Sequence, residues 1–376
     1  MIAPGVSQGF HVPRALPPFL LGILAIVVAV LAWGALTLRH TANRGDYALV
    51  PAVSPASVRS VAYVEPLGNL DVLYVRGIAA DSVPRRVADF PYTFQLHARG
   101  LAAPTADRIA VLHVTSSSGS YARLDIVSWP GGTSSGVDAE FDYLSALAWA
   151  PDGSRLAGVR STPPDETGQI HASVLEVDAA TRSVADVARF DGVFEVAPVG
   201  YSVDGERLFI VVVDQAGSTL WAERAGKVQR VASLSPGRTL FWALSPDGSR
   251  LAYVDVLGAG ERAYAGRTLA IATGAVTDTP SFDDQLGAAW LPGSEVAAFG
   301  GPGGSVRLSA EAREAGYVIP ERWSPDGSTL VATIYPASGG GTANRSKSIE
   351  IFPPQGRIRL TNEAGAIFLG WVRDLD

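Results

Sequence analysis

From residue 58 onward, short apolar runs alternate with clusters of Gly, Pro, Asp and Ser, and no long amphipathic helical stretch interrupts them. Leu208–Val213, Leu251–Val254 and Ile109–Val114 are nearly continuous in apolar residues. That pattern predicts strands covered on both faces, and the punctuation between them predicts many short strands joined by tight turns.

One apolar stretch is of a different kind. Ala15 to Leu38 contains no charged residue, and Phe19–Trp33 is almost wholly aliphatic. Such a run can cross roughly 30 Å of hydrocarbon at about 1.5 Å per residue. Pro17 and Pro18 suit a helix start, Trp33 an interface, and Arg39-His40 ends the run. The expectation is an N-terminal tail at 1–17, a single transmembrane helix at 18–38 and a linker at 39–57. A cleaved signal peptide is the alternative, but its apolar region is about 7–15 residues behind a basic leader, and this leader offers only Arg14. Arg14 on one side against Arg39 and Arg44 on the other favours, slightly, a cytoplasmic domain. Against that, the segment before the helix is too short to fold by itself, so the domain that follows is expected to be extracytoplasmic.

Within residues 58–376 a turn sequence repeats. Its clearest copies are Trp149-Ala150-Pro151-Asp152-Gly153, Leu244-Ser245-Pro246-Asp247-Gly248 and Trp323-Ser324-Pro325-Asp326-Gly327, each followed by Ser and an apolar run. Weaker copies lie at Ala103–Ala110, at Tyr201-Ser202-Val203-Asp204-Gly205, at Trp290-Leu291-Pro292-Gly293 and at Gly370–Asp374. The proline-equivalent positions are 104, 151, 203, 246, 292, 325 and 373, at intervals of 47, 52, 43, 46, 33 and 48 residues. This is near the period of a four-stranded propeller blade. Turn chemistry explains the motif: proline presets φ, aspartate suits the next position, and glycine takes the left-handed conformation that closes the hairpin. Pro292-Gly293 is one residue shorter and predicts a type II turn. Seven motif copies predict a seven-bladed, all-β propeller, with the C-terminal segment 366–371 entering the sheet begun by residues 58–87 to close the ring.

At these motifs the chain resembles the bacterial WD40-like, TolB-like propeller repeat family, whose signature is a Trp-Ser-Pro-Asp-Gly turn before a Leu-Ala-Phe/Tyr strand. The resemblance covers roughly residues 58–376, with three good copies and four weaker ones. It implies a propeller of the bacterial envelope; members of such families scaffold proteins, bind sugars or peptides, or cap a peptidase, so the fold does not choose among these roles.

Composition narrows the chemistry. The sequence has no cysteine, which excludes disulfides, thiolate catalysis, cysteine zinc sites and iron–sulfur clusters. A net charge of −7 argues against a nucleic-acid partner. Of five histidines, His11 and His40 flank the apolar run, and His97, His113 and His171 show no paired ligand spacing. Asp283-Asp284 and Asp138, Glu140 and Asp142 lack the alternating oxygens of a calcium loop. Gly132-Thr133-Ser134-Ser135-Gly136 matches a nucleophile elbow by letter but lacks the strand-to-helix context. Asn344-Arg345-Ser346 is a glycosylation sequon by pattern only, and Gly339-Gly340-Gly341 lacks the Lys-Ser of a phosphate loop.

No catalytic residue, cofactor or metal is therefore expected. Pro151, Asp152, Gly153, Asp204, Gly205, Pro246, Asp247, Gly248, Pro292, Gly293, Pro325, Asp326 and Gly327 are expected to form structural turns. Trp149, Trp290, Trp323 and Trp371 share one register and are expected to pack between blades rather than stack a ligand. The functional expectation is a membrane-anchored, non-enzymatic scaffolding or binding module for an unknown protein or envelope polymer. The alternative is a ligand sensor or enzyme that uses the central channel.

Overall fold

A computed structural model describes residues 58–374 except 94–95, 116–120, 259–261, 282, 303–305, 307–315, 337–346, 355, 362 and 364. The expected tail, transmembrane helix and linker, the sequon and the triple-glycine loop all lie outside the described residues. Among the described residues there are strands and turns, and no helix long and apolar enough to cross a membrane.

The strands form radially arranged antiparallel sheets. β1 (Ser60–Leu67), β2 (Leu70–Gly77) and β3 (Arg85–Pro91) begin the first. The next sheets are β4–β7 (Arg99–Ala102, Arg108–His113, Tyr121–Ser128, Ser134–Asp142) and β8–β11 (Ala148–Trp149, Arg155–Ser161, Ile170–Asp178, Val184–Val193). Then come β12–β15 (Glu195–Tyr201, Leu208–Asp214, Gly217–Arg224, Lys227–Ser235) and β16–β19 (Thr239–Leu244, Arg250–Val256, Tyr264–Ala270, Ala275–Asp278). β20 (Leu286–Trp290) and β21 (Ala297–Gly300) pair alone. β22–β25 (Gly316–Trp323, Leu330–Pro336, Ser348–Phe352, Ile358–Arg359) make the last consecutive sheet, and β26 (Ile367–Val372) returns to pair antiparallel with β1, Val61 opposite Trp371.

The expectation of seven blades is corrected here to six: among the described residues six sheets have four strands, and β20–β21 has two. Spacing gives the reason. From Pro292 to Pro325 there are 33 residues, where the other motif intervals run from 43 to 52, too few for three further strands with their turns before the next inner strand begins. The two-stranded sheet stays wedged in the ring: Trp290 and Phe299 pack with Ala252 and Val254, and Gly287 lies against Ile319 and Pro320 of β22.

Apolar runs become middle strands because both faces are covered. Leu208 through Val213 are all buried, whereas the outer strand β19 is exposed throughout. The core is accordingly a series of clusters between neighbouring sheets. Leu112, Leu124 and Phe141 meet Trp149, Leu156 and Leu175; Phe209 and Val211 meet Leu251 and Tyr253; Val61 and Trp371 meet Val331 and Ile351. Dispersion and water release act across every wedge, so the sheets hold one another in place.

The turns are built alike. In the turn after β16, Ser245 Oγ donates to Asp247 Oδ1 at 2.6 Å, Ser249 N–H donates to the same oxygen at 3.0 Å, and Arg250 N–H donates to Ser245 Oγ at 2.9 Å. Gly248 has φ +66°, with +67°, +70° and +71° at Gly153, Gly205 and Gly327, so a side chain there would be strained. Gly293 has φ +76°, and Ser294 N–H donates to Leu291 O at 3.0 Å, the features of a type II turn. Burial pushes the carboxyls of Asp152, Asp204, Asp247 and Asp326 up, but the serine and backbone donors outweigh it and hold each below the usual carboxylate range. The arginine four residues beyond the proline position straps sheets together: Arg108 reaches Gly153 O at 3.1 Å, Arg155 reaches Gly205 O, and Arg250 reaches Glu295 O.

Candidate functional site: the central channel

Seven inner strands, β4, β8, β12, β16, β20, β22 and β26, come nearest the axis. In five of them the ladder slips by one residue at the same place, four or five positions before the proline-equivalent residue. The unpaired positions are Leu369 in β26, Val199 in β12, Phe241 and Trp242 in β16, Gly287 and Ala288 in β20, and Glu321 in β22. A bulge of this kind re-aims a side chain without disturbing the rest of its strand. Phe241 at φ +54° shows the local bend.

At the bulge of β22 the wall becomes charged. A cavity of about 330 Å³ is lined by Arg99 of β4, Glu321 and Arg322 of β22, Thr333 and Tyr335 of β23, and Lys347 just before β24. Apolar wall is supplied by Leu101, Leu147, Ile367 and Leu369. Thr333 Oγ1 donates to Glu321 Oε1 at 2.7 Å. Arg99 lies over the ring of Tyr143 at 5.8 Å, and the Tyr143 hydroxyl donates to His97 O at 2.8 Å, so β4 and the loop after β7 hold that cation in place.

Glu321 and Arg322 are exposed to solvent along the channel and are nevertheless ringed closely by protein. Burial raises the Glu321 pKa, against the opposing pull of the Thr333 hydrogen bond and of Arg322 and Lys347. Burial likewise lowers Arg322 and Lys347. Channel water screens part of each penalty.

The residues singled out from the sequence fall elsewhere. Asp152, Asp204, Asp247 and Asp326 sit in the turns between the first two strands of their sheets, away from the cavity. Trp149 is buried between sheets with Nε1 donating to Leu101 O at 2.9 Å, and Trp290 repeats this with Ala243 O at 2.8 Å. Trp371 is buried between the first and last sheets, and its Nε1, like that of Trp323, has no partner among the described residues.

Each described histidine pairs with one aspartate: His97 with Asp71 at 3.0 Å, His113 with Asp125 at 2.5 Å, His171 with Asp191 at 2.8 Å. Ser134, of the Gly-x-Ser-x-Gly match, donates to Asp125 Oδ1 at 3.3 Å while His113 holds Oδ2. The carboxylate lies between the two, whereas an activated serine needs the histidine between it and the carboxylate. Asp284 Oδ1 accepts from Ala263 and Tyr264 N–H at 2.8 and 3.0 Å, and Asp142 is bound by Ser161. Among the described residues no three His, Asp or Glu side chains gather as metal ligands.

Turn motifs and apolar runs do not single out Arg99, Glu321, Arg322 or Lys347. Aligning the motif copies does for three of them. Positions five to three before the proline equivalent read Arg-Gly-Leu, Ala-Leu-Ala, Pro-Val-Gly, Phe-Trp-Ala, Gly-Ala-Ala, Pro-Glu-Arg and Phe-Leu-Gly. Arg99, Glu321 and Arg322 are the charged residues of that register, whereas Lys347 has no such signal.

No family model matches the chain, and no curated protein sequence matches it. Solved structures do. TolB from Acinetobacter baumannii superposes with a TM-score of 0.51 at 15% identity, covering 82% of this chain and 66% of that one. The fold is a TolB-like β-propeller. The same propeller architecture appears in the acylaminoacyl peptidase of Pyrococcus horikoshii, with a TM-score of 0.54 at 12% identity over 82% of this chain and 51% of that one. It appears again in the β-propeller domain of the Trilobed protease from Pyrococcus furiosus, described as an open velcro topology, with a TM-score of 0.52 at 11% identity over 81% of this chain and 95% of that one. In the TolB-like propeller here, by contrast, β26 joins β1. This chain thus spans about two thirds of that TolB and half of that peptidase.

Proposed function

We propose that this TolB-like propeller is a non-enzymatic binding module, anchored to a membrane by residues 18–38 with the propeller on the extracytoplasmic side, and that it engages its partner through the central channel. The cavity wall carries this reading. Bulges turn Glu321 and its neighbours toward a solvent-open space, where cations and a carboxylate can recognise a partner, while Ser134, Asp125 and His113 are ordered for structure rather than for attack. The anchor rests on the uncharged run from Ala15 to Leu38.

A photoreactive residue placed at Tyr335, in the cavity wall, is expected to give a discrete adduct in intact cells, and one at Val276, on the exposed outer strand, is expected to give none. Equal adduct patterns at both positions would remove the channel from the proposal. Degradation of the propeller by protease added outside the cytoplasmic membrane is the expected result for orientation; protection until lysis would place the domain on the cytoplasmic side.

A second reading has one observation in its favour. A carboxyl whose pKa is raised by burial, as at Glu321, is what a general acid requires. Turnover of any bound compound, abolished in Glu321→Gln, would favour that enzyme over the binding module.

A further inference from the structure

The chain is acidic overall, at −7, yet its channel cavity gathers Arg99, Arg322 and Lys347 around the single carboxylate of Glu321. These groups are close enough to feel one another: Glu321 acts electrostatically on Arg322 and on Lys347, and Arg99 acts on Lys347. Among the described residues neither Arg322 nor Lys347 has a hydrogen-bond or ion-pair partner. Arg322 and Lys347 thus present two unpaired charges to the channel water, and a bound anion can pair with both. Glu321 accepts from Thr333 through Oε1, and among the described residues nothing donates to its second oxygen. At about 330 Å³ the cavity is at the lower end of the roughly 300–1,000 Å³ typical of small-molecule sites.

We propose that this cavity binds a small organic carboxylate that also carries a hydroxyl or amino donor, with its carboxylate held by Arg322 and Lys347 and its donor by Glu321. The guanidinium supplies a planar fork for the carboxylate and the ammonium a point charge beside it. Glu321 selects against simple anions, because only a ligand with a donor offsets the repulsion between its own carboxylate and that of Glu321. This inference rests on the binding-module reading and names the ligand class of the same site.

The test is calorimetric titration of the full chain in detergent at low salt, with L-tartrate as the probe because it carries both groups. The expected result is saturable binding to one site, weakened about tenfold, the worth of one charge-assisted hydrogen bond, in Arg322→Met and in Lys347→Met. Arg238→Met, which removes a cation paired with Glu195 elsewhere, should bind as the parent does. Glu321→Gln should weaken tartrate and leave succinate, which lacks the hydroxyls, unchanged or tighter. If Arg322→Met does not fold, Lys347→Met decides, since Lys347 lies outside the strands, just before β24. No saturable heat, an undiminished affinity in Lys347→Met, or sulfate binding as tightly as tartrate would each overturn the assignment. Chemical conversion of tartrate, read by NMR, would instead sink the non-enzymatic reading and leave the site standing.

Discussion

The rim of turns and the channel wall are made by the same strands, yet they follow opposite rules. On the rim one chemistry recurs: Ser, Asp and Gly in the same hydrogen-bonded turn at Ser202, Ser245 and Ser324, and an arginine reaching the next sheet at Arg108, Arg155 and Arg250. In the channel the equivalent positions vary from one inner strand to the next: Gly100, Leu147, Val199, Trp242, Ala288, Glu321 and Leu369, with only leucine recurring. Repetition is what a ring of equal wedges needs, because every wedge poses the same packing problem. Divergence is what a site needs, because a ligand has unlike sides. Rim positions should therefore govern stability and channel positions recognition.

Ring closure is the harshest way to break that comparison. Removing residues 366–376 strips the inner strand from the first sheet, opens the backbone edge of Ser60–Leu67 and exposes the face that Leu369, Trp371 and Val372 cover. The expected outcome is an aggregated or poorly expressed propeller, whereas deleting residues 1–40 should leave a soluble, folded one. A chain ending at residue 362 that melts as cooperatively and as high as its parent would show that closure contributes nothing.

The tryptophans sharpen it by ranking. Trp149 and Trp371 are both buried, at 5% and 4% exposure, but only Trp149 has a described acceptor for its Nε1. Either residue changed to Ala should cost about 3–5 kcal/mol by leaving a cavity between sheets. Changed to Phe, Trp149 should lose about 1 kcal/mol more than Trp371, the net worth of one hydrogen bond. Urea denaturation of the four variants measures both steps, and equal losses for the two Phe variants would show that the indole N–H is not what sets these positions apart.

How much of this was legible in the sequence follows the same division. The turns were legible because Pro, Asp and Gly have intrinsic backbone preferences that need no tertiary context. At the two-stranded β20–β21 the motif misleads, because Trp290-Leu291-Pro292-Gly293 looks like a blade signal although the next motif follows after 33 residues. A turn motif reports a hairpin, and only the spacing reports how many strands accompany it. Arg99, Glu321 and Arg322 were hidden for another reason: their meaning depends on bulges and on a shared axis, which bring residues from distant strands together. Their signal was a charge in a register that is otherwise uncharged.

The smallest expected effect sets two carboxyls against each other. Asp247 on the rim has its pKa held low by Ser245 and Ser249 despite partial burial, so its ionised form is favoured by folding. The stability it adds is complete above the unfolded value of about 4 and is lost as the pH falls through the lower folded value. Asp247→Ala should cost about 1 kcal/mol at neutral pH and make the protein less sensitive to acid. Glu321 in the channel has the reverse bias. Burial raises its folded pKa, so its charge opposes folding above that value, and stability is regained as the pH falls from the folded toward the unfolded pKa. Glu321→Gln should therefore be neutral or slightly stabilising at neutral pH, by no more than about 0.5 kcal/mol because channel water screens the charge. It should also remove that gain of stability on acidification. Melting temperatures of the two variants across pH 3 to 8 decide the point: slopes of the same sign would mean that rim and channel carboxyls serve the fold alike.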